Sequence, residues 1–396
     1  MLNFVNNFQP LHAGQRDIGN VVNCHLRNEF TSGVRRPYLD SHGRACITVN
    51  TGETELVKGE RVPIRRKRFI ADVVRQTGRM FQVWNAVSMR KGDWIEVDTA
   101  FTTARRKRLI AWSDLMRLSK HPAFDGWSKM TLEYEAMSDP GSAIVDMDAT
   151  GAGQNDQPLW DLRSIPLPIT HTNFTYSKRR LDVANGNGTP LSMVSVEAAG
   201  RRNGEVVEQT TIGTTTGVTY GTQAAGNYAS HTGTSTNYGY TNFTYRVTKT
   251  DLTTPTGSNP ENVMTDFLEM IDTMRTNSFF GPFHVYTSTS YDRYLDDDYF
   301  RSSTSFAAQT LRQRLLQIKD IIDIKRLDYL TSGYQVICAQ IDSEVVQAVE
   351  GMPPTVVQWD SPGGFEHNFK GLEVSVALLK APYSTSTSGI LHGTTS

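Results

Sequence analysis

A segment that contains two prolines is the strongest constraint on how this chain folds. Residues 159–183, LWDLRSIPLPITHTNFTYSKRRLDV, are predicted to include a strand, but Pro166 and Pro168 have no N–H group to donate to a neighbouring strand. The strand is therefore expected at a sheet edge or in an isolated arm. Upstream, residues 129–137 and 142–149 are short alternating stretches with the turn sequence SDPG between them. Together these segments predict a long two-stranded loop that needs a partner surface, because a lone hairpin is only marginally stable.

The composition also predicts a subunit that buries much of its surface against other chains. Hydrophobic residues make up 38% of the sequence, which is low for a compact globule, while aromatic residues at 10% argue against a disordered chain. Residues 210–260 hold 17 Thr and 7 Gly among 51 positions, a composition typical of β-arms and loops with little core. The pentapeptide TNFTY occurs at 172–176 and again at 241–245. Its alternation of Thr with aromatic rings predicts a half-exposed strand in both places.

The net charge of −1 hides a strong asymmetry along the chain. Residues 1–120 contain 21 Lys and Arg against 11 Asp and Glu, a balance of +10, whereas residues 121–396 contain 19 against 30, a balance of −11. Such a basic segment can contact nucleic acid, pair with acidic surfaces of neighbouring copies or face solvent. Because charge runs are usually exposed faces, the last two roles are favoured over direct contact with nucleic acid. The candidate DNA-facing or intersubunit cations form two clusters: Arg61, Arg65, Arg66, Lys67 and Arg68, then Arg105, Arg106, Lys107 and Arg108.

The sequence lacks the signature motifs of several function classes. The chain has no P-loop, no G-x-G-x-x-G after a strand, no H-E-x-x-H and no G-x-S-x-G, so no catalytic or cofactor-binding residue is predicted. Cys24, Cys46 and Cys338 are widely spaced, which indicates a reducing compartment and argues against disulfides or a zinc site. Asp296–Asp298 lack the glycine and closing glutamate of a calcium loop and are predicted as a solvated turn, so no metal is expected. No segment approaches the roughly 20 apolar residues of a membrane span, and the N-terminus lacks signal-peptide features.

The spacing of apolar residues predicts helices followed by a late sheet. In GDWIEVDTAFTTARRKRLIAWSDLMRL (92–118), Asp93 and Glu96 have the spacing of a capping box, and apolar residues recur at helical spacing. Short strands follow one another between residues 320 and 383, so the chain is predicted to be α+β. Further helices are predicted within 186–212, in spite of Gly200 and Gly204, and over 259–279 and 305–318.

In their order along the chain, these parts resemble the Hong Kong 97-type capsid fold, and within it the encapsulin-like major capsid proteins of tailed phages. The segments that carry the resemblance are 93–115 for the N-terminal helix, 130–184 with SIPLPI for the extended loop, 189–213 for the spine helix, 259–299 for the entry to the axial domain and 320–382 for the closing strands. The resemblance implies an α+β fold with an N-terminal extension, arm and helix (1–118), an extended loop hairpin (119–176), a peripheral domain with the spine helix and a Thr/Gly-rich insertion (177–280), and an axial domain with the C-terminal strands (281–396).

The resemblance implies a structural protein and not an enzyme. Copies of the chain are expected to assemble as pentamers and hexamers into the icosahedral shell of a tailed phage, enclosing double-stranded DNA that the protein contacts by non-specific charge interactions. Portal, scaffolding and decoration proteins are further implied partners, with no membrane and no cofactor. The implied location is the virion capsid, assembled in the host cytoplasm.

Two features distinguish this chain from compact encapsulins. About 90 residues precede the first predicted helix, and the tract 213–258 resembles an insertion. Both favour a phage capsid over the alternative of an encapsulin-type nanocompartment; the alternative from another class is an enzyme with an unrecognised site. Because the N-terminal region lacks a long charged helical segment, no scaffold domain is expected to be cleaved from this chain.

Overall fold

Two β-sheets with helices packed on them form most of the part of the chain that the structure describes. The structure, a computed structural model, describes residues 38–39, 45–57, 60–69, 91–124, 126–137, 147–148, 160–187, 193–215, 219–220, 235–302, 305–360, 365–381 and 387–395. The helices are α1 (Lys91–Arg106), α2 (Ala111–Leu118), α3 (Lys178–Asn187), α4 (Val194–Ile212), α5 (Pro260–Thr276), α6 (Thr289–Leu295) and α7 (Leu311–Leu316). The strands are β1 (Tyr38–Leu39), β2 (Ala45–Val57), β3 (Glu60–Phe69), β4 (Thr131–Met137), β5 (Trp160–Pro166), β6 (Thr170–Ser177), β7 (Thr219–Tyr220), β8 (Ser235–Thr236), β9 (Val247–Leu252), β10 (Phe283–Ser288), β11 (Asp298–Ser302), β12 (Ser305–Thr310), β13 (Ile321–Leu327), β14 (Gln335–Gln340), β15 (Val346–Asp360), β16 (Glu366–Leu379) and β17 (Ile390–Thr395).

The five-stranded sheet comes from the C-terminal half of the chain. Its strand order is β13-β10-β14-β17-β9, with parallel pairs at β10–β13 and β17–β9 and antiparallel pairs between them. Helices α5, α6 and α7 supply apolar side chains such as Phe267, Tyr291 and Leu315 to the core that they share with the sheet. Every residue of β10 is buried, because this strand lies inside the sheet. This part agrees with the late strands that the sequence predicts.

The three-stranded sheet, in the order β15-β16-β6, carries α1 and α4 on one face. Trp94 and Phe101 of α1, Val196 of α4 and Phe369 of β16 share one core with Tyr176 of β6. Cys46 of β2 is also buried in this core, so the separate sheet β1-β2-β3 contacts the body of the protein there. The N-terminal sheet is thus attached to the same layer as α1.

Helices α1 and α4 cross at two glycines. A Cβ atom at Gly200 would overlap the carbonyl oxygen of Phe101, and one at Gly204 would lie 2.7 Å from the carbonyl oxygen of Arg105. The ring of Phe101 also packs directly on Gly371 of β16, where a Cβ atom would overlap it. Glycine costs about 1 kcal/mol in a helix interior, and close helix packing is the physical reason for this pair.

Three local sequence predictions differ from the structure. The helix predicted over 92–118 is interrupted between Arg106 and Ala111, because two backbone N–H groups at the start of α2 bind a side chain of α4 instead of continuing α1. The helix predicted over 305–318 begins only at Leu311, after strand β12. The first TNFTY lies in β6, but the second (241–245) forms turns, in which the Asn242 side chain accepts a hydrogen bond from the N–H of Gly239.

Candidate interaction surfaces

The β4–β5 hairpin, called the arm below, has one packed face. The two strands pair antiparallel as a sheet of their own. Leu132 and Ile165 are buried against side chains of β15 and β16, among them Met352 and Leu372. Arg163 adds a polar attachment, since its Nη1 donates to the carbonyl oxygen of Ala381 at 3.3 Å. The base of the arm is therefore fixed to the body of its own chain.

The other face of the arm, called the free face below, is exposed within the part of the chain that the structure describes. Glu133 and Glu135 are exposed, and Leu162, which lies opposite Glu135 on β5, is 65% exposed. Because side chains alternate along a strand, the three residues share one side of the hairpin. Within the described residues neither carboxylate forms an ion pair. An acidic face with an exposed leucine is thus available to another molecule.

The first basic cluster lies on an outer strand of the N-terminal sheet. Arg61 and the run 65–68 (Arg65, Arg66, Lys67, Arg68) belong to β3, which pairs with β2 on one side. The structure describes their backbone and not their side chains. Their role in contacts with DNA or with neighbouring copies stays a prediction.

The second cluster is divided by burial, and its first member is a correction. Arg105 is not a surface cation: it is 5% exposed, and its guanidinium pairs with the buried Glu373, with Nε at 2.9 Å from Oε1. The face of α1 that packs on the sheet includes this position, so the charge is matched inside the protein. Arg106 and Lys107 are exposed, and Arg108 lies 3.8 Å from Glu205 of α4. Only these last three remain candidates for contacts with a partner.

A third group of cations was not singled out from the sequence. Lys178, Arg179 and Arg180, called the cationic turn below, occupy the first turn of α3 and are exposed, with no acidic residue in that turn. Positive charge at a helix N-terminus opposes the helix dipole, so it does not stabilise α3 locally. Next to it, Phe365 accepts the N–H of Lys178 at 2.8 Å through its carbonyl oxygen and leaves its ring 78% exposed. The sequence signal that could have identified this group is its three consecutive cations directly after the residues of β6.

Asp296, His284 and the two described cysteines have ordinary structural roles. Asp296 accepts a hydrogen bond from Arg312 Nε at 2.8 Å, and no group of three or more His, Cys, Asp or Glu side chains among the described residues could hold a metal ion. His284 is buried in β10, and burial lowers the pKa of its imidazole. Cys46 and Cys338 are buried and form no disulfide among the described residues, while Cys24 lies outside them. In the described part of the chain no helix is both long and apolar enough to cross a membrane.

Comparisons with known proteins identify the fold. A family model described as "Family of unknown function (DUF6260)" matches residues 85–362. The crystal structure of a virus-like particle from Pyrococcus furiosus is similar to this chain with a TM-score of 0.50 and 14% identity, covering 75% of this chain and 97% of that one. The capsid of Myoviridae phage XM1 is similar with a TM-score of 0.50 and 13% identity, covering 74% and 98%. No curated protein matches the sequence. The predicted Hong Kong 97-type α+β fold is therefore confirmed.

Proposed function

This chain belongs to DUF6260, a family of unknown function, and we propose that it is the structural subunit of an icosahedral capsid that encloses the double-stranded DNA of a tailed phage. The observation that carries the proposal is coverage: the chain matches 97–98% of the length of two proteins from particles named as a virus-like particle and a capsid. The whole shell-forming fold is thus present, with no large part of it missing. A structural role then accounts for the protein better than an enzymatic one.

The free face of the arm and the cationic turn support contacts between copies. They lie at opposite ends of β6, since the arm packs near Leu372 of β16, which pairs with the start of β6, whereas the cationic turn directly follows its last residue. The strand β6, eight residues or roughly 26 Å long, separates them. Glu133 and Glu135 of one copy therefore cannot reach the cations of the same copy. They complement those of a second copy, and we infer that the two surfaces meet between subunits.

Electron microscopy of the expressed full-length chain tests the proposed function. We expect closed shells, or rings of five and six subunits, in negative stain. Nuclease-resistant double-stranded DNA and a portal vertex in particles from infected cells support the phage capsid, whereas an enzyme cargo supports the nanocompartment. A protein that stays monomeric under all assembly conditions and turns over a substrate would contradict the proposal.

The proposed contact with packaged DNA rests on the first basic cluster. Replacing Arg65, Arg66, Lys67 and Arg68 together by serine is expected to lower the amount of DNA retained per shell. The retained amount should also depend less on salt, because fewer phosphate contacts release fewer counterions. The measurement is nuclease-protected DNA per particle between low and high salt. Normal shells with normal DNA content contradict the contact. A loss of shells, with normal DNA in those that form, assigns the cluster to intersubunit contacts instead.

A further inference from the structure

Helix α2 begins at a carboxylate that comes from another helix. Glu208, in the last third of α4, accepts the N–H of Ala111 through Oε1 at 2.7 Å and the N–H of Trp112 through Oε2 at 3.1 Å. The residue before α2, Ile110, provides no side-chain cap of its own. A carboxylate at this place satisfies two of the free N–H groups of the helix and interacts favourably with its dipole.

This carboxylate is buried without a cation. Glu208 is 1% exposed, and none of the ion pairs among the described residues includes it. The charged group that acts on Glu208 is a second acid, Asp114 of α2, which is bound by Lys325 Nζ at 2.7 Å and by the hydroxyl of Tyr286 at 3.0 Å. The cations of this region therefore neutralise Asp114 and leave Glu208 unmatched. Buried acids without a partner bind protons more readily than acids in water.

A buried tyrosine hydroxyl lies within the electrostatic influence of the same acids. Tyr240 is fully buried, its ring stacks on Tyr286 with the ring centroids 6.0 Å apart, and its hydroxyl has no hydrogen-bond partner among the described residues. The charge of Glu208 acts on Tyr240 directly. A protonated Glu208 gains an O–H group that needs an acceptor, and the hydroxyl of Tyr240 is an unsatisfied group in its surroundings.

Helix α2 touches both sheets. Asp114 connects it to β10 and β13 of the five-stranded sheet. At its other end, the carbonyl oxygen of Ser119 accepts the N–H of Ala348 of β15 at 2.7 Å, and His121 donates its N–H to the carbonyl oxygen of Ala348 at 2.9 Å. A change in how α2 is held is thus transmitted to the contact between the two layers of the subunit.

We propose that Glu208 is a proton-operated latch between α4 and α2, closed when the acid is neutral and loosened when it ionises. The proposal concerns the single subunit and does not depend on shell formation. Any opened state in which Glu208 reaches water is favoured by ionisation, because water solvates the charge that the closed junction does not. The junction therefore opens more often as the pH rises.

The direction of this pH dependence follows from the pKa of Glu208. Burial raises the pKa of Glu208 from its ordinary value of 4.5 to about 7. The backbone N–H groups of Ala111, Trp112 and Ile110 act in the opposite direction by binding the carboxylate, and Asp114 adds a smaller increase, so burial is the dominant cause. The closed state is thus favoured below about pH 4.5, and this advantage is lost as the pH rises through about 7. His284 of β10 has an opposite effect, since burial lowers the pKa of its imidazole and acid disfavours the buried form. Arg117 is a further cation of this region and lies 3.5 Å from Asp114.

Hydrogen exchange of α2 amides in the full chain tests the latch. Between pH 5 and 8.5, after correction for the intrinsic exchange rate, we expect the opening of Ala111–Leu118 to increase on the order of 10- to 100-fold in the wild-type protein. Glu208→Gln keeps the shape of the side chain, cannot ionise and should show no such increase. Glu205→Gln, one turn earlier on α4, is the matched control and should behave as the wild type.

Two results would overturn the latch. One is an unchanged opening of α2 between pH 5 and 8.5 in the wild-type protein, which decides the question even if the Glu208→Gln variant does not fold. The other is an equal increase in wild type and Glu208→Gln, which would show that a group other than Glu208 controls the opening of α2.

Discussion

A Gly200→Ala substitution is expected to destabilise the subunit by about 3 kcal/mol or more, or to prevent it from folding in soluble form. The added methyl group would overlap the carbonyl oxygen of Phe101, which is backbone and cannot rotate away. A shift of α1 that relieves this overlap would also disturb the ring of Phe101, which packs directly on Gly371 of β16. The prediction opposes helix propensity, which favours alanine by about 1 kcal/mol at an exposed position.

Denaturant unfolding of the soluble full-length chain provides the measurement, with Gly257→Ala as the control. A Cβ atom at Gly257 has only the Asp297 carboxylate within 4 Å, at 3.6 Å, so the same chemical change should alter the free energy of unfolding by less than about 0.5 kcal/mol. Equal stability of the Gly200 and Gly257 variants would show that α1 and α4 are not in this close contact in solution.

The pair Gly200 and Gly204 shows where sequence reasoning stops. From the sequence alone, the two glycines destabilise a helix of otherwise suitable residues, so packing must compensate for them. The sequence does not identify the segment that packs there. The partner is the backbone of α1, about 100 residues earlier, at Phe101 and Arg105. Helix existence follows from local periodicity, whereas the crossing point depends on contacts between distant segments.

The same dependence on distant contacts explains why the sequence predicts the wrong environment for several residues. Arg105 lies in a run of four basic residues, so its sequence environment predicts exposure, but its matching charge is Glu373 at the other end of the chain. The interruption before Ala111 depends on Glu208 in the same way. The two TNFTY copies differ because strand pairing with β16 is available to the first, whereas the second contributes the Asn242 side chain to a turn beside Gly213. Short identical segments take the structure that their surroundings allow.

The order of elements was more predictable than their contacts. The prolines at 166 and 168 correctly indicated a hairpin outside the main sheets, because a missing N–H is a local property of the residue. Which face of that hairpin stays free could not be predicted, since Leu132 and Ile165 are matched by β15 and β16, more than 170 residues later. Only the structure shows which face of the arm is buried and which is exposed.

Reversing the charge of the arm is expected to abolish shell formation and to leave the subunit folded. In the variant Glu133→Lys with Glu135→Lys, both substituted side chains are exposed on the free face, so the core of the arm base is unchanged. Each contact between the arm and a cationic turn then becomes repulsive. A single exposed pair contributes no more than about 1 kcal/mol, but the contact recurs at every subunit of a shell and the losses add. We expect the yield of shells in negative stain to fall at least about tenfold.

Charge reversal on both surfaces distinguishes a specific contact from a general effect. Adding Lys178→Glu, Arg179→Glu and Arg180→Glu to the arm variant restores opposite charges across the proposed interface, and we expect shells to return. The matched control reverses two exposed carboxylates elsewhere, Glu96→Lys and Glu197→Lys, and should assemble as the wild type. If wild-type shells form and the arm variant also forms them, the arm–turn contact is wrong while the capsid function stands. If the arm variant fails and the double reversal fails too, the free face of the arm binds a different surface of the neighbouring subunit, and the exposed ring of Phe365 has another role.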